Sequence, residues 1–462
     1  MSTSDQPSGD LTHVALFPSA GMGHLVPFLR LAAALLRHHC KLTLITSHPA
    51  VSSAESQLIS RFLSAFPQIT ELKFHIVPLD PLVANSDDPF FLQFEAIRRS
   101  VHLLISPLSA LSPPLSALVC DVSLISSALV LSATLKIPNY VLFTSSAIMF
   151  SLFAYYPFVK MSDPSGDLIH IPAIGSIPKT SLPPPLLVDN SIFNKIFTQD
   201  SRRIKELNGV LINAMDAMEG DTVAALNSGK VLDGLPPVVP IGPLLPCEFE
   251  NPEGKSPIKW LEKLPPRSVV FASFGSRTAA SREQIKEIGI GLASSGYKFL
   301  WIVKDKVVDK EDKEGLEEVV GEELMEKLKE KGMVLKEWVN QEEILGHRAV
   351  GGFVSHCGWN SVMEAALKGV PVLAWPQNGD QMINAGLVAK KGVGMWVEKW
   401  GWGHKCVVKG EELGGRIKEL MESDVLRARA AELKEEAAKA VAVGGSCDRA
   451  IEWLIGRWSK GI

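Results

Sequence analysis

The stretch from Trp338 to Gln381 reads WVNQEEILGHRAVGGFVSHCGWNSVMEAALKGVPVLAWPQNGDQ. Its apolar run GGFV (351–354) reads as a buried strand. The run stops at Ser355-His356-Cys357-Gly358, and a helix is predicted to open at Trp359, Asn360 and Ser361. A glycine-bearing turn between strand and helix leaves backbone N–H groups pointing one way, with the positive end of the helix dipole behind them. That is a seat for phosphate. His356, Asn360 and Ser361 add side-chain donors around the same spot. Glu364 lies one turn up the helix, where a carboxylate can accept hydrogen bonds from a ribose diol. Trp338 offers a flat face on which a base can stack. Asp380 and Gln381, after the strand-like VPVLAW, supply acceptors and donors suited to sugar hydroxyls.

The same strand–turn–helix pattern opens the chain. In THVALFPSAGMGHLVPFLRLAAALLRHH, VALF reads as a buried strand and Pro18 to His24 as a glycine-bearing loop. Leu25 to His38 follows helical spacing, with Leu25, Leu29, Ala32 and Leu36 on one side. The strand KLTLIT (41–46) follows at once, which makes a β–α–β unit and calls for a parallel sheet. His24 falls where the helix begins, and there the dipole favours a neutral imidazole able to act as a base. A later apolar strand, ALVC, ends at Asp121. Strand ends of one parallel sheet cluster on one edge. Asp121 can therefore reach His24, hold its tautomer and stabilise the charge that develops on it. The plainer readings are a structural histidine and a helix-capping aspartate.

The length of 462 residues calls for two or more domains. The Pro- and Gly-dense segment LPPVVPIGPLLPCEFENPEGKSP (235–257) marks the boundary. This divides the chain into 1–245, a linker 246–257, a second domain 258–443 and a terminal helix 444–462. Beyond the linker, SVVFASFGS is a strand running into a loop, Gly275-Ser276-Arg277, suited to a pyrophosphate. Ser281 is predicted to cap the next helix. Three apolar segments, 86–100, 147–159 and 171–197, are less regular and rich in aromatics or proline, and read as core or as an aromatic-lined pocket. Charged residues make up 21% and the net charge is −4, so there is no basic excess for a nucleic-acid partner. The six cysteines lack CxxC spacing, which argues against a zinc site and suits a reducing compartment. The polar start reads as a tail rather than a signal peptide, and no apolar run is long enough to span a bilayer. These features point to a cytoplasmic protein.

The stretch 338–381 matches, without a gap, the signature box of plant family-one UDP-sugar glycosyltransferases, including the HCGWNS core. Asp88-Pro89-Phe90 and SFGSRTA (273–279) are similar to the C-glycosyltransferase branch of that family. The resemblance implies a GT-B architecture: two facing Rossmann-like α/β domains with a cleft between them, the last helix crossing back onto the first domain. It implies His24 as catalytic base and Asp121 as its partner. It implies Trp338 on uracil, Gln341 near uracil or ribose, Glu364 on the ribose, and His356, Asn360 and Ser361 on the phosphates. Asp380 and Gln381 would hold the hexose, a closing Gln going with glucose donors. Ser276, Arg277, Val339, Gly358, Trp359 and Thr144 complete the donor set, and Asp88, Phe90 and Phe150 line the acceptor side. The chain contains no D-x-D motif. The expectation is thus UDP-glucose as co-substrate, no metal or other cofactor, and an aromatic small-molecule acceptor. The branch implies C-glucosylation of a flavonoid precursor such as a 2-hydroxyflavanone or a phloretin-like phenol, with flavonoid O-glucosylation as the alternative. An NAD-dependent oxidoreductase would carry a full GxGxxG after the first strand, where FPSAGMGH stands.

Overall fold

The computed structural model describes residues 11–79, 88–159, 166–247, 257–275, 279–304, 315–337, 339–403 and 405–461. Ser276, Arg277, Trp338 and most of the linker lie outside the described residues.

The first half builds β1 (His13–Phe17), β2 (Lys41–His48), β3 (Thr70–His75), β4 (Ala117–Asp121) and β5 (Asn139–Phe143). A hairpin of β6 (Leu168–Ile171) and β7 (Gly175–Pro178) follows, then β8 (Gly209–Ile212) and β9 (Val238–Pro240). Apart from the hairpin these strands form one seven-stranded sheet, in the order β3-β2-β1-β4-β5-β8-β9, and every pairing is parallel. The second half builds β10 (Val269–Ser273), β11 (Lys298–Ile302), β12 (Gly332–Leu335), β13 (Val350–Ser355), β14 (Val372–Ala374) and β15 (Gly394–Trp396). They form a parallel sheet ordered β12-β11-β10-β13-β14-β15.

Continuous apolar runs make such strands because helices cover both faces of a parallel sheet. Successive side chains of β1 enter opposite cores: Ala15 and Phe17 join one cluster, Val14 and Leu16 the other. In β10, Val269 and Phe271 divide from Val270 and Ala272 in the same way. The terminal helix Ser446–Trp458 carries a stripe of Cys447, Ile451, Leu454 and Trp458 that closes one core of the first sheet. Trp458 meets Tyr140 edge-on at 5.6 Å, and the Cys447 thiol donates to the Ile241 carbonyl at 2.8 Å. Among the described residues no helix is long and apolar enough to cross a membrane.

Two segments expected to be irregular are helices. Asp88 caps the helix Pro89–Ser100, its carboxylate accepting the N–H groups of Phe90 and Phe91 at 2.9 and 3.3 Å, with Pro89 in the first turn. The run Ala147–Tyr155 is helical but apolar on every face, so it shows no 3.6-residue period for the sequence to betray. The third segment begins at the last residue of β6 and contains β7 and the start of the helix Ile192–Arg202.

Ser146 caps the helix Ala147–Tyr155, and buried Glu219 also sits at its N-terminus, accepting the Ile148 N–H at 3.2 Å. Burial raises the Glu219 carboxyl to about 7, against the opposing pull of the Ala147 and Ile148 N–H groups. The folded chain therefore keeps a proton that the unfolded chain has already released. Stability from this group falls as pH rises from the ordinary glutamate range to about 7, then levels off. Glu219→Gln should accordingly be more stable than the parent at pH 8, by about 3 kcal/mol, and within about 1 kcal/mol of it at pH 5, as read from urea melts. Trp458→Ala should cost about 3–5 kcal/mol in the same melts, because it empties a fully enclosed site.

Candidate active site

A crevice opens at the carboxyl ends of a parallel sheet where the strand order reverses. In the first sheet that point lies between β1 and β4, in the second between β10 and β13. The two crevices merge into one cleft of about 1370 Å³, lined from both halves of the chain. A pocket for one drug-sized ligand measures roughly 300–1,000 Å³, so this cleft has room for two substrates side by side.

On the first side, β1 pairs with β4 in a register that sets Phe17 beside Cys120. His24, in the first turn of the helix Met22–Arg37, and Asp121, the last residue of β4, are thereby brought together. His24 Nδ1 lies 2.8 Å from Asp121 Oδ2. The Asp121 side chain is 0% exposed and that of His24 is 26% exposed. Asp121 Oδ1 accepts the N–H and hydroxyl of Ser123 at 2.9 and 2.7 Å. Burial alone would raise the Asp121 pKa; the neighbouring imidazole and the bonds from His24 and Ser123 outweigh it and hold the carboxyl below its usual value. A carboxylate only accepts, so Nδ1 carries the hydrogen and Nε2 is the basic nitrogen. Phe94 packs edge-on to the imidazole at 5.4 Å, and the Thr144 hydroxyl is 3.3 Å from Nδ1.

On the second side, β13 ends at Ser355 and the backbone turns through Cys357 with φ of 61°. The Ser355 hydroxyl holds the Cys357 N–H at 3.1 Å, and Asn384 Nδ2 donates to the Cys357 carbonyl at 3.1 Å. The helix Trp359–Lys368 starts behind Gly358 with no side-chain cap. Its first N–H groups lack intrahelical partners, and Gly358 to Ser361 line the cleft. The His356 ring sits between Gly275 and Gly358: a Cβ on either would fall 2.6 or 2.5 Å from Nε2. Burial lowers the His356 pKa to about 4, against a backbone hydrogen bond to Ser273 that raises it, so near neutral pH the ring is an uncharged dipole. His356 Nδ1 and Asn360 Oδ1 have no hydrogen-bond partner among the described residues.

Glu364 Oε1 accepts from Arg30 Nη2 at 2.7 Å, and Oε2 from Gln341 Nε2 at 2.8 Å. The same Gln341 amino group reaches the Ser361 hydroxyl at 2.9 Å. Asp380 Oδ2 accepts from Asn384 Nδ2 at 2.8 Å and from the Ser145 hydroxyl across the cleft. Burial raises the Asp380 pKa, and the bonds from Ser145 and Asn384 offset this in part. Gln381 Oε1 is taken by the N–H groups of Gln377 and Asn378 at 2.8 and 2.9 Å, so its donor capacity resides in the amino group. Among the described residues no group of three or more His, Cys, Asp or Glu side chains is arranged to hold a metal.

Most of the residues singled out in the sequence line this one cleft: His24, Asp88, Phe90, Thr144, Val339, Gln341, His356, Gly358, Trp359, Asn360, Ser361, Glu364, Asp380 and Gln381. Asp121 stands directly behind His24. Two require correction in detail, and a third has a second duty. Phe150 is 0% exposed and packs against Phe143 at 5.1 Å in the core; on the same helix, Met149 and Phe153 form the wall instead. One residue's step along a helix turns a side chain by about 100°, which is enough to exchange wall for core. Trp359 is 3% exposed, and its indole donates to the Asn213 carbonyl of the first domain at 2.8 Å, so the ring is a joint between domains. Asp88 has a clear structural duty as a helix cap. The sequence reading missed Phe94, Phe193 and Phe197 on the wall, and Glu55, which accepts the Gly21 N–H at 2.5 Å. It also missed Arg30. Phe94 follows Phe90 by one helical turn, and Arg30 interrupts the apolar run FLRLAAALL; both are signals that could have been used.

Two parallel α/β sheets, each with its crevice turned to a shared cleft, and a histidine–carboxylate pair opposite an anion cradle define a nucleotide-sugar transferase of GT-B architecture. Residues 187–405 match the family model for UDP-glucoronosyl and UDP-glucosyl transferase. The chain is 56% identical to UDP-glycosyltransferase 708G2 of Citrus unshiu over 96% of both sequences. The crystal structure of LpCGTa in complex with UDP has a TM-score of 0.86 and 47% identity, covering 97% of this chain and 99% of that one. UGT71G1 of Medicago truncatula, complexed with UDP-glucose, has a TM-score of 0.85 and 29% identity, covering 98% and 99%. This chain belongs to the UDP-glycosyltransferase family, and it is a glycosyltransferase.

The packing around His356 can be tested directly. Gly358→Ala should lose about 2 kcal/mol or more in a thermal or urea melt, because its Cβ would overlap the imidazole. Placed in a His356→Ala background the same change should cost much less, a coupling that only direct contact produces.

Proposed function

We propose that this enzyme transfers glucose from UDP-glucose to a phenolic acceptor with inversion and without a metal, and that the favoured product is a C-glucoside of a flavonoid precursor. One observation carries the reading: the His24–Asp121 pair, at 2.8 Å, opposite an uncapped helix N-terminus in a single cleft. The donor lies along the second domain. The first-turn N–H groups of the helix Trp359–Lys368, the His356 N–H and Ser361 neutralise the leaving diphosphate. Glu364 takes the ribose hydroxyls, Asp380 and Gln381 the hexose, and Trp338 stacks on uracil, with Ser276 and Arg277 near the pyrophosphate. The acceptor lies against Phe90, Phe94, Met149 and Phe153, an apolar wall suited to a flat ring. The six cysteines are all free thiols, which supports a cytoplasmic setting.

In the reaction, His24 Nε2 takes the phenolic proton while Asp121 balances the imidazolium. Electron density moves from the phenolate oxygen to the ortho carbon of a polyhydroxylated ring. That carbon attacks the anomeric carbon from the face opposite UDP, and the bond to the diphosphate oxygen breaks with its electron pair leaving on UDP. The new ring carbon then gives up its proton, the oxygen regains one, and aromaticity returns; His24 releases the proton it took. Acceptor orientation decides whether carbon or oxygen attacks, because the same base serves both. The resemblance to the C-glycosyltransferase branch, and a UDP-glycosyltransferase of Oryza sativa subsp. indica whose name carries CGT, support the carbon.

Incubation with UDP-glucose and a panel of phloretin-like phenols should yield a product that survives acid hydrolysis and shows a carbon–carbon link by NMR. An acid-labile O-glucoside as the main product would remove the C-linkage. His24→Ala should lower kcat by about 100-fold or more while leaving UDP affinity unchanged in calorimetry, and Asp121→Asn should act in the same direction.

A further inference from the structure

Arg30 occupies an unusual place for a cation. It lies between Leu29 and Leu31 in the helix Met22–Arg37 and is 3% exposed. An arginine so enclosed is tolerated only with a partner. The acidic group it meets belongs to the opposite domain: Nη2 lies 2.7 Å from Oε1 of Glu364, whose side chain is 7% exposed. The second oxygen of that carboxylate is held by Gln341 at 2.8 Å. A carboxylate offers about four lone-pair sites. These two bonds occupy one on each oxygen, fix the plane of the group, and leave one site on each oxygen, the arrangement a vicinal diol requires.

We propose that Arg30 is a positioning residue for the donor: from across the cleft it holds Glu364 so that the remaining lone pairs meet the ribose diol. Ribose recognition then depends on the first domain being docked on the second. Gln341 becomes the companion support of the same carboxylate, bridging it to Ser361. The proposal rests on the assignment of Glu364 to the ribose made above. Arg30 touches no reacting atom, so its loss acts on donor affinity before it acts on chemistry.

The test is calorimetric binding of UDP and of 2′,3′-dideoxy-UDP to the full-length wild type, Arg30→Met and Arg30→Lys. The wild type should prefer UDP by roughly tenfold or more, the worth of hydrogen bonds to a charged group. Arg30→Met should lose most of that preference by weakening UDP while leaving the dideoxy analogue within about twofold. Arg30→Lys, whose shorter point charge cannot reproduce the guanidinium fork, should fall between them. In turnover it should raise the KM for UDP-glucose by about tenfold with a much smaller change in kcat, a split that general damage to the fold does not produce. If Arg30→Met does not fold, as judged by its melting curve, Arg30→Lys decides. A variant that folds and keeps the wild-type preference overturns the proposal. A wild type that binds both nucleotides equally would remove the ribose assignment of Glu364 itself, a failure distinct from that of Arg30.

Discussion

A parallel sheet covered by helices on both faces leaves one place for polar chemistry, the edge where its strands end. That constraint organises this molecule. The β1 strand is buried along its whole length, and the β4 strand is buried up to and including Asp121 at its last position. The functional groups are hung from the turns that follow: His24 after β1, Asp121 at the end of β4, His356 and the uncapped helix after β13. Because strand order reverses beside β1 in one sheet and beside β10 in the other, each sheet opens a crevice at the same topological position. One crevice holds the His24–Asp121 pair and the other the uncapped start of the helix Trp359–Lys368.

The cleft between them is owned jointly by the two domains. Arg30 holds Glu364, Ser145 holds Asp380, the Trp359 indole holds the Asn213 carbonyl, and the Trp402 indole holds the Thr180 carbonyl at 3.1 Å. The Glu364 and Asp380 carboxylates are thus oriented by side chains of the first domain. A buried ion pair is weak evidence for stability, because desolvation cancels much of the attraction. What it sets here is the direction in which a carboxylate faces. The imidazole of His356 is treated in the same spirit: two glycines admit the ring and burial keeps it neutral, so it presents a dipole of fixed orientation.

The parts most legible in the chain were those whose physics is local. Continuous apolar runs announced the strands, Ser281 announced a helix start that it does cap, and the turn at 355–358 announced the helix that opens at Trp359. The parts least legible were apolar on every side. Ala147–Tyr155 has no amphipathic period, so neither its helicity nor the difference between Phe150 in the core and Phe153 on the wall could be read from order alone. Asp88-Pro89-Phe90 is a cap, a first-turn proline and a wall residue in succession.

By itself the sequence determined the two α/β halves, the family, the place of His24 after β1 and of Asp121 at the end of β4, and the strand–turn–helix unit that runs through 350–368, because each of these is carried by neighbours in the chain. Only the tertiary structure decided that Arg30 serves Glu364, that Ser145 serves Asp380, that Trp359 turns inward as a joint, and which aromatic rings face the cleft. Those contacts join residues more than a hundred positions apart. No local propensity encodes them: they exist only once two independently buried sheets are brought edge to edge.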